Sequence, residues 1–267
     1  RCVRPCAVRA SCPDADHSAT VVAAIFRGAV SGPASAAGVR NVTLPAGTIA
    51  GDWAILATSS AGTGEAWTWG AGWTELLQDT FGTSKAGIAV REITAGDVAA
   101  GYVTYSQAAA GSSQRALATY GGVTGFGALG AVTKRTASSS TITAAAVTLA
   151  AGQTAVVIRL EKSTNNPGPA TVTPATTVRA QSYLNASAAP SVWIGDTTTA
   201  GARTFTDPAS SGNGLGVQVA LIDATTPAGG YLISVWNGTT EITGCTLSIW
   251  NGTAEVPLPA TALTVST

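Results

Sequence analysis

One short segment of this chain occurs twice, and the pattern around it recurs with it. Residues 42–47 read VTLPAG, and residues 147–152 read VTLAAG. Short apolar blocks follow each copy in the same order, with clusters of Gly, Pro, Ser, Asn and Asp between them. Blocks of this length, bounded by turn residues, are typical of β-strands. The chain is therefore expected to contain two similar sets of strands.

Each block is predicted to form a strand, and no segment has the period of an amphipathic helix. The alternation is clearest in residues 156–161, where Val, Ile and Leu on one face alternate with Val, Arg and Glu on the other. The blocks after the first copy are residues 53–57, 73–77, 86–90, 101–105 and 116–120, and those after the second are residues 155–160, 177–181, 190–194, 201–205 and 217–221. The fold class predicted is all-β, with an antiparallel β-sandwich that is internally duplicated and has one shared core.

The sandwich is expected to span residues 19–223, with a different segment at each end. Residues 1–18 show no strand or helix period and are interpreted as an irregular arm, which is expected to pack on a neighbouring subunit. Residues 224–267 contain a shorter repeat with two Asn-Gly pairs between apolar flanks, which predicts a small β-hairpin module. A module of this size buries too little surface to fold alone, so it should pack on the sandwich or on another subunit. The candidate assembly contacts are Arg1, Arg4, Arg9, Trp236 and Trp250.

The charge balance excludes some classes of partner. Charged residues make up 10% of the chain, and 14 Lys and Arg balance 14 Asp and Glu, whereas about 25% charged residues is typical of soluble domains. A chain without net charge lacks the positive field that nucleic acid needs, so fixed assembly, including homo-oligomers, is favoured over nucleic-acid binding. No apolar run reaches the roughly 18 residues of a membrane helix, and the N-terminus has no long apolar stretch, so no membrane partner is expected.

Few residues offer catalytic or metal chemistry. The single histidine, His17, lies in the arm, away from the scaffold that a nucleophilic triad needs. With Cys2, Cys6 and Cys12 it could form a zinc site, but only the gap between the first two cysteines has the usual ligand spacing. Disulfide bonds and free thiols stay open as alternatives.

Carboxylates near predicted strand ends leave a glycoside hydrolase as a remote alternative. They are Glu75, Asp79, Glu92 and Glu161, and paired carboxylates are the catalytic groups of such enzymes. Solvated strand edges are the favoured interpretation of these residues. We therefore expect a protein that is not an enzyme and has no catalytic residues, no cofactor and no metal site.

Three tryptophans, Trp67, Trp69 and Trp73, lie close together beside glycines. Exposed rings would form a platform for sugar stacking, so the alternative function is a carbohydrate-binding adhesin that recognises host-surface glycans. Buried rings would instead close one end of the sandwich, and tryptophan is highly buried on average. The sequence leaves both interpretations open.

Several motifs in a fixed order resemble one family. They are residues 44–56 (LPAGTIAGDWAIL), 72–74 (GWT), 201–205 (GARTF) and 217–221 (VQVAL), followed by Trp-Asn-Gly-Thr-x-Glu at residues 236–241 and 250–255. Together they resemble the jelly-roll-like domains of bacteriophage virion proteins, often described as minor tail proteins of phages of actinobacteria. The resemblance covers about residues 20–223, and the repeat resembles the short C-terminal extensions of the same proteins.

The resemblance implies a jelly-roll-like fold and a structural role in the virion. The expected protein is a minor tail protein or a capsid-surface decoration, located on the virion, with other tail or capsid subunits as partners. The arm and the C-terminal hairpins would supply its contacts. The family offers no catalytic residues that could be transferred to this chain.

Overall fold

The computed structural model describes most of the chain, in two compact units. The residues described are 8–11, 20–21, 23–34, 36–109, 111–135, 140–163, 171–183, 189–206, 212–226, 233–236, 241–250 and 255–257. One unit consists of Arg1–Val22 with Thr225–Thr267, and the other consists of Ala23–Ala224. Side chains are described in the second unit, which we call the sandwich unit.

The described residues form 23 strands and one short helix. The first strands are β1 (Val8–Ser11) and β2 (Thr20–Val21). The first half of the sandwich unit contains β3 (Ile25–Pro33), β4 (Gly38–Thr43), β5 (Trp53–Ser60), β6 (Trp67–Trp69), β7 (Trp73–Phe81), β8 (Ser84–Glu92), α1 (Ala95–Ala100), β9 (Tyr102–Gln107) and β10 (Ser113–Gly121). The second half contains β11 (Val123–Leu129), β12 (Thr133–Arg135), β13 (Thr141–Ala144), β14 (Ala155–Ser163), β15 (Thr171–Thr173), β16 (Thr177–Tyr183), β17 (Pro190–Thr197), β18 (Arg203–Thr206) and β19 (Gly212–Asp223). The last strands are β20 (Thr225–Thr226), β21 (Ile233–Trp236), β22 (Glu241–Trp250) and β23 (Glu255–Pro257).

The two halves of the sandwich unit have the same strand order. In the first half, a five-stranded sheet has the order β3-β10-β5-β8-β7, and a three-stranded sheet has the order β4-β9-β6. In the second half, a six-stranded sheet has the order β11-β19-β14-β17-β16, with β12 also paired to β19, and a three-stranded sheet has the order β13-β18-β15. The repeat in the sequence therefore corresponds to a repeat in the topology.

One hydrophobic core contains side chains from both halves. Ile55 and Ile88 enter it from the five-stranded sheet, and Ile158 and Val217 enter it from the six-stranded sheet. Because successive strand residues point to opposite faces, the other face of each large sheet is left for the three-stranded sheet of the same half. Two smaller apolar clusters fill these outer spaces, one in each half. The predicted all-β antiparallel sandwich is confirmed, and its sheets pack in four layers.

The strands predicted from the sequence are confirmed in both halves. Every predicted block lies in a strand, although the blocks that begin at Gly101 and Gly201 start slightly before their strands. The repeated segment marks the same turn twice, at residues 45–48 and 150–153, closed by backbone hydrogen bonds of 3.3 and 3.1 Å. Gly47 and Gly152 have φ angles of 86° and 80° in these turns, a region that glycine adopts without steric cost.

The helix α1 was not expected from the sequence. It begins after Thr94, whose hydroxyl accepts a hydrogen bond from the backbone N–H of Asp97, while the Asp97 carboxylate accepts one from the backbone N–H of Thr94. It ends at Gly101, which has a left-handed φ of 76°. Caps at both ends define this helix, and its 6 residues are too few to show an amphipathic period.

Polar contacts also join the two halves at the edge of the shared core. Lys134 Nζ of the second half lies 2.6 Å from Asp79 Oδ2 of the first half. Ser31 Oγ donates a hydrogen bond of 2.8 Å to the carbonyl oxygen of Gln181. These contacts align the two large sheets, while the shared apolar core supplies most of the attraction between them.

Tyr120 lies where the two halves meet. Its side chain is buried, and its ring packs edge-on against Phe26 with 5.7 Å between the ring centroids. Its hydroxyl faces the Asp196 carboxylate of β17 but lacks the geometry of a hydrogen bond. Burial, and secondarily the negative charge of Asp196, raise the pKa of Tyr120 well above its ordinary value.

We expect Tyr120→Phe to keep the neutral-pH stability or raise it by about 1 kcal/mol, because it removes a buried hydroxyl without a hydrogen-bond partner. The pKa of Tyr120 is higher in the folded state, so the titration of Tyr120 leaves stability unchanged below the unfolded pKa of about 10 and lowers stability as the pH rises from there through the folded pKa. The variant should therefore lose less stability above about pH 10. Urea unfolding at neutral and alkaline pH measures both effects, and an unchanged alkaline loss would contradict this account.

The terminal unit combines the two ends of the chain. The strands β1, β21, β22 and β23 belong to one four-stranded sheet, in which Val8 pairs with Ile249 and Ser11 pairs with Thr246. The short strands β2 and β20 pair with each other. The expectation of an arm without strands is therefore wrong for residues 8–11. Their partner strand comes from the other end of the chain, so no local period in the arm could indicate it.

The C-terminal repeat produces two hairpins with equivalent pairings. Trp236 pairs with Glu241 across β21 and β22, and Trp250 pairs with Glu255 across β22 and β23. The two tryptophans therefore hold the same register position in successive hairpins. The turn residues 237–240 and 251–254 lie outside the described part of the chain.

Candidate functional site

The tryptophan cluster lies at one edge of the first half, between the two sheets. Trp67 and Trp69 belong to β6, an edge strand of the three-stranded sheet, and Trp73 begins β7, an edge strand of the five-stranded sheet. Trp67 is 3% exposed. A Cβ atom added to Gly87 of β8 would lie only 2.7 Å from the Trp67 ring. Gly87 therefore provides the space that lets this ring enter the interior.

Trp69 and Trp73 are half-buried, and they contact each other and the interior. Their ring centroids are 5.9 Å apart, and Trp69 is also 5.9 Å from the ring of Tyr105. Trp69 Nε1 donates to Glu75 Oε2 at 2.7 Å, and Trp73 Nε1 donates to the backbone oxygen of Thr104 at 2.8 Å. Both indole N–H groups thus already have protein acceptors.

The sequence left open whether the three tryptophan rings are exposed or buried, and this geometry answers that question. Trp67 is part of the buried apolar cluster of the first half, and Trp69 and Trp73 pack against it. The three rings therefore close the edge between the two sheets, and the Trp67 ring is removed from the surface. A glycan could reach only the exposed parts of Trp69 and Trp73.

The four carboxylates considered for glycoside hydrolysis lie in different environments. Glu75 accepts hydrogen bonds from Trp69 and Gln78, Asp79 pairs with Lys134, and Glu92 is exposed at the end of β8. Glu161 is 0% exposed. The interpretation of these residues as solvated strand edges is therefore wrong for Glu161.

Glu161 lies between two buried arginines in the second half. It pairs with Arg135 through one carboxylate oxygen and with Arg159 through the other. The Nε group of Arg135 also donates a hydrogen bond of 2.6 Å to the backbone oxygen of Gly212. The alternation in residues 156–161 already predicts that Arg159 and Glu161 share one face of the strand. Their burial depends on how the chain folds over that face, which the alternation does not show.

Arg203 is a second buried charge that the sequence did not single out. Its side chain is 0% exposed. Its guanidinium donates to the hydroxyl of Thr197 at 2.8 Å, to the backbone oxygen of Thr199 at 2.6 Å and to that of Gly201 at 2.9 Å. These bonds hold the connection between β17 and β18 in one conformation, which gives Arg203 a structural role.

The remaining predicted site residues belong to the terminal unit. Arg9 lies in β1, and Trp236 and Trp250 end β21 and β22. The residues outside the described part of the chain are Arg1, Arg4, Cys2, Cys6, Cys12 and His17. Within the described part, no three or more His, Cys, Asp or Glu side chains converge as a metal site would require. The described residues also include no helix long and apolar enough to span a membrane.

Comparison with known proteins adds no relative. No protein-family model, no curated protein and no solved structure matches the chain. The resemblance to phage virion proteins therefore stays a prediction based on the motifs of the sequence.

Proposed function

We propose that this chain is a non-enzymatic structural protein of a bacteriophage virion, either a minor tail protein or a capsid-surface decoration. The observation that carries the proposal is the strand order of the sandwich unit. In the first half, the first strand pairs with the eighth (β3 with β10), the second with the seventh (β4 with β9) and the third with the sixth (β5 with β8). The second half repeats this order.

Such nested pairing supports a jelly-roll-like fold, in which a long antiparallel hairpin is wrapped into two sheets. Jelly rolls of eight strands are common in viral capsid proteins. The sequence motifs that resemble phage virion proteins lie in the same part of the chain. The nested topology and the motifs therefore support the same proposal.

The terminal unit supports a role in attachment. Contacts within the chain separate Arg1–Val22 and Thr225–Thr267 from the sandwich unit, although these segments lie at opposite ends of the sequence. A small unit built from two segments that are remote in sequence can act as a single contact module. The equivalent positions of Trp236 and Trp250 in two hairpins fit such a module, because aromatic residues are enriched in protein interfaces.

We expect a chain reduced to residues 23–224 to stay folded but to be absent from purified particles, because its shared core is intact and its contact module is missing. Particles produced with the full chain and with the shortened chain would be compared by quantitative mass spectrometry. Circular dichroism of the shortened chain is the control for folding. Normal amounts of the shortened chain in particles would contradict the role of the terminal unit, and absence of the full chain from particles would contradict a virion function.

The alternative function is a carbohydrate-binding adhesin. Lectin domains also use jelly rolls, so the topology supports this alternative as well. Because Trp67 is buried, the three tryptophan rings cannot all contact a glycan together, which weakens the adhesin alternative.

A further inference from the structure

Two arginines of the first half meet at a tyrosine between the two sheets. Arg40 of β4 pairs with Tyr105 of β9 in the three-stranded sheet, and Arg115 of β10 belongs to the five-stranded sheet. Arg40 shares a strand face with Val42, and Arg115 shares one with Leu117; both apolar residues lie in the buried cluster between these sheets. Arg115 Nη1 donates to the Tyr105 hydroxyl at 3.4 Å. We call Arg40, Arg115 and Tyr105 the two-arginine site.

Neither arginine has a carboxylate partner within the described residues. Arg40 Nη2 donates to the backbone oxygen of Ala37 at 2.8 Å, while Arg40 Nε has no exposed surface and no acceptor there. The Arg115 side chain has only the Tyr105 hydroxyl as an acceptor, at a distance that is long for a hydrogen bond. Other arginines of the sandwich unit do pair with carboxylates; they are Arg27, Arg91, Arg135, Arg159 and Arg179. Because buried N–H groups without an acceptor are rare, Arg40 Nε indicates a missing acceptor.

The site is open to solvent at one edge. Arg115 pairs with Gly32 of β3, and a Cβ atom added to Gly32 would have no heavy atom within 4 Å. Both arginines are half-buried, and β3 and β4 are edge strands of their sheets. A small ligand can therefore reach both guanidinium groups from this edge.

The Tyr105 hydroxyl offers a further donor at the site. Tyr105 is 1% exposed. Burial raises the pKa of Tyr105 above its ordinary value, although Arg115 and Arg40 act in the opposite direction. The hydroxyl therefore keeps its proton at neutral pH. It accepts a hydrogen bond from Arg115, so its own hydrogen is left to donate to a ligand.

We propose that the two-arginine site binds the carboxylate group of a small organic acid. Guanidinium groups form charge-assisted, often paired hydrogen bonds with carboxylates. Glu65, whose carboxylate accepts a hydrogen bond of 3.0 Å from the backbone N–H of Ala109, is close enough to act on the pKa of Tyr105. Two positive charges and this negative charge leave one net positive charge, which matches a carboxylate better than a doubly charged phosphate. The site lies within the sandwich unit and is independent of the proposed assembly function.

NMR titration of the full, isotope-labelled chain with acetate and with D-glucuronate tests the proposal. Ionic strength is held constant with NaCl, so that general screening does not change during the titration. We expect the Arg40 Nε–H signal to shift saturably with at least one of the two acids. D-Glucuronamide, which has a similar shape without the charge, should leave the signal unchanged. A response to both acids would assign the site to carboxylates in general, and a response to glucuronate alone would assign it to a sugar acid.

Three variants relate the shift to the proposed contacts. Arg115→Gln removes one guanidinium group and should weaken binding about tenfold. Tyr105→Phe keeps the ring that packs on Trp69, removes only the hydroxyl, and should weaken binding about fivefold. Lys134→Gln removes a positive charge from the second half and should leave binding unchanged. The thermal unfolding of each variant is the control for folding, and Tyr105→Phe keeps the test valid if Arg115→Gln fails to fold.

Four outcomes would overturn the proposal. They are the absence of a saturable shift with either acid, an equal response to glucuronamide, a loss of affinity in Lys134→Gln as large as in the site variants, and tighter binding of inorganic phosphate than of either acid. Incorporation into particles is measured separately, so failure here leaves the virion proposal to its own test.

Discussion

Glu161→Ala should lower the free energy of unfolding of the sandwich unit by about 3 to 5 kcal/mol, the effect expected when one partner of a buried ion pair is removed. Glu161 is fully buried and pairs with both Arg135 and Arg159. Without its carboxylate, two buried guanidinium groups lose a negatively charged partner. Denaturant unfolding with a two-state analysis measures the change.

Two matched variants separate charge from packing at this position. Glu161→Gln keeps the volume of the side chain and should still cost more than about 2 kcal/mol, because the positive charges stay buried. Glu92→Ala removes a carboxylate from the exposed end of β8 and should change stability by less than about 0.5 kcal/mol. A loss below about 1 kcal/mol for Glu161→Ala would contradict the structural role of the buried ion pairs.

Ile88→Ala and Ile158→Ala should each lower the free energy of unfolding by about 2 to 5 kcal/mol, the range for truncating a fully buried isoleucine. Ile88 belongs to the first half and Ile158 to the second, and both are 0% exposed in the same core. Because the core is shared, each substitution should destabilise both halves of the sandwich unit and not only the half that contains it.

Ile49→Ala is the control for this pair of substitutions. Ile49 is 52% exposed, so its truncation should change stability by no more than about 0.5 kcal/mol. If Ile88→Ala lowered the stability of the first half and left the second half unchanged, the two halves would be separate folding units.

Much of the fold could be predicted from the sequence because the information for it is local. Strand alternation, as in residues 156–161, depends only on neighbouring residues. The repeated turn depends on glycine at its third position, and Gly47 and Gly152 are both present in the sequence. The helix α1 was missed because its signals are two caps and not a period. The strand β1 was missed because its partner β22 is remote in sequence.

The burial of individual polar and aromatic residues could not be predicted in the same way. Trp67 enters the interior because Gly87 on another strand leaves room for it, and no local pattern links these two residues. Glu161 is buried although its strand face carries charges. In each case the decisive contact joins residues that are distant in sequence.

We expect the two halves of the sandwich unit to fold as one through their shared core, and native-state hydrogen exchange can test this claim. Amides of β5 and β10 in the first half and of β14 and β19 in the second would be followed at increasing denaturant concentration. We expect the most protected amides of both halves to converge on one opening free energy, and Ile88→Ala to lower it equally in both. Two distinct opening free energies, with one half exchanging while the other stays protected, would contradict the claim.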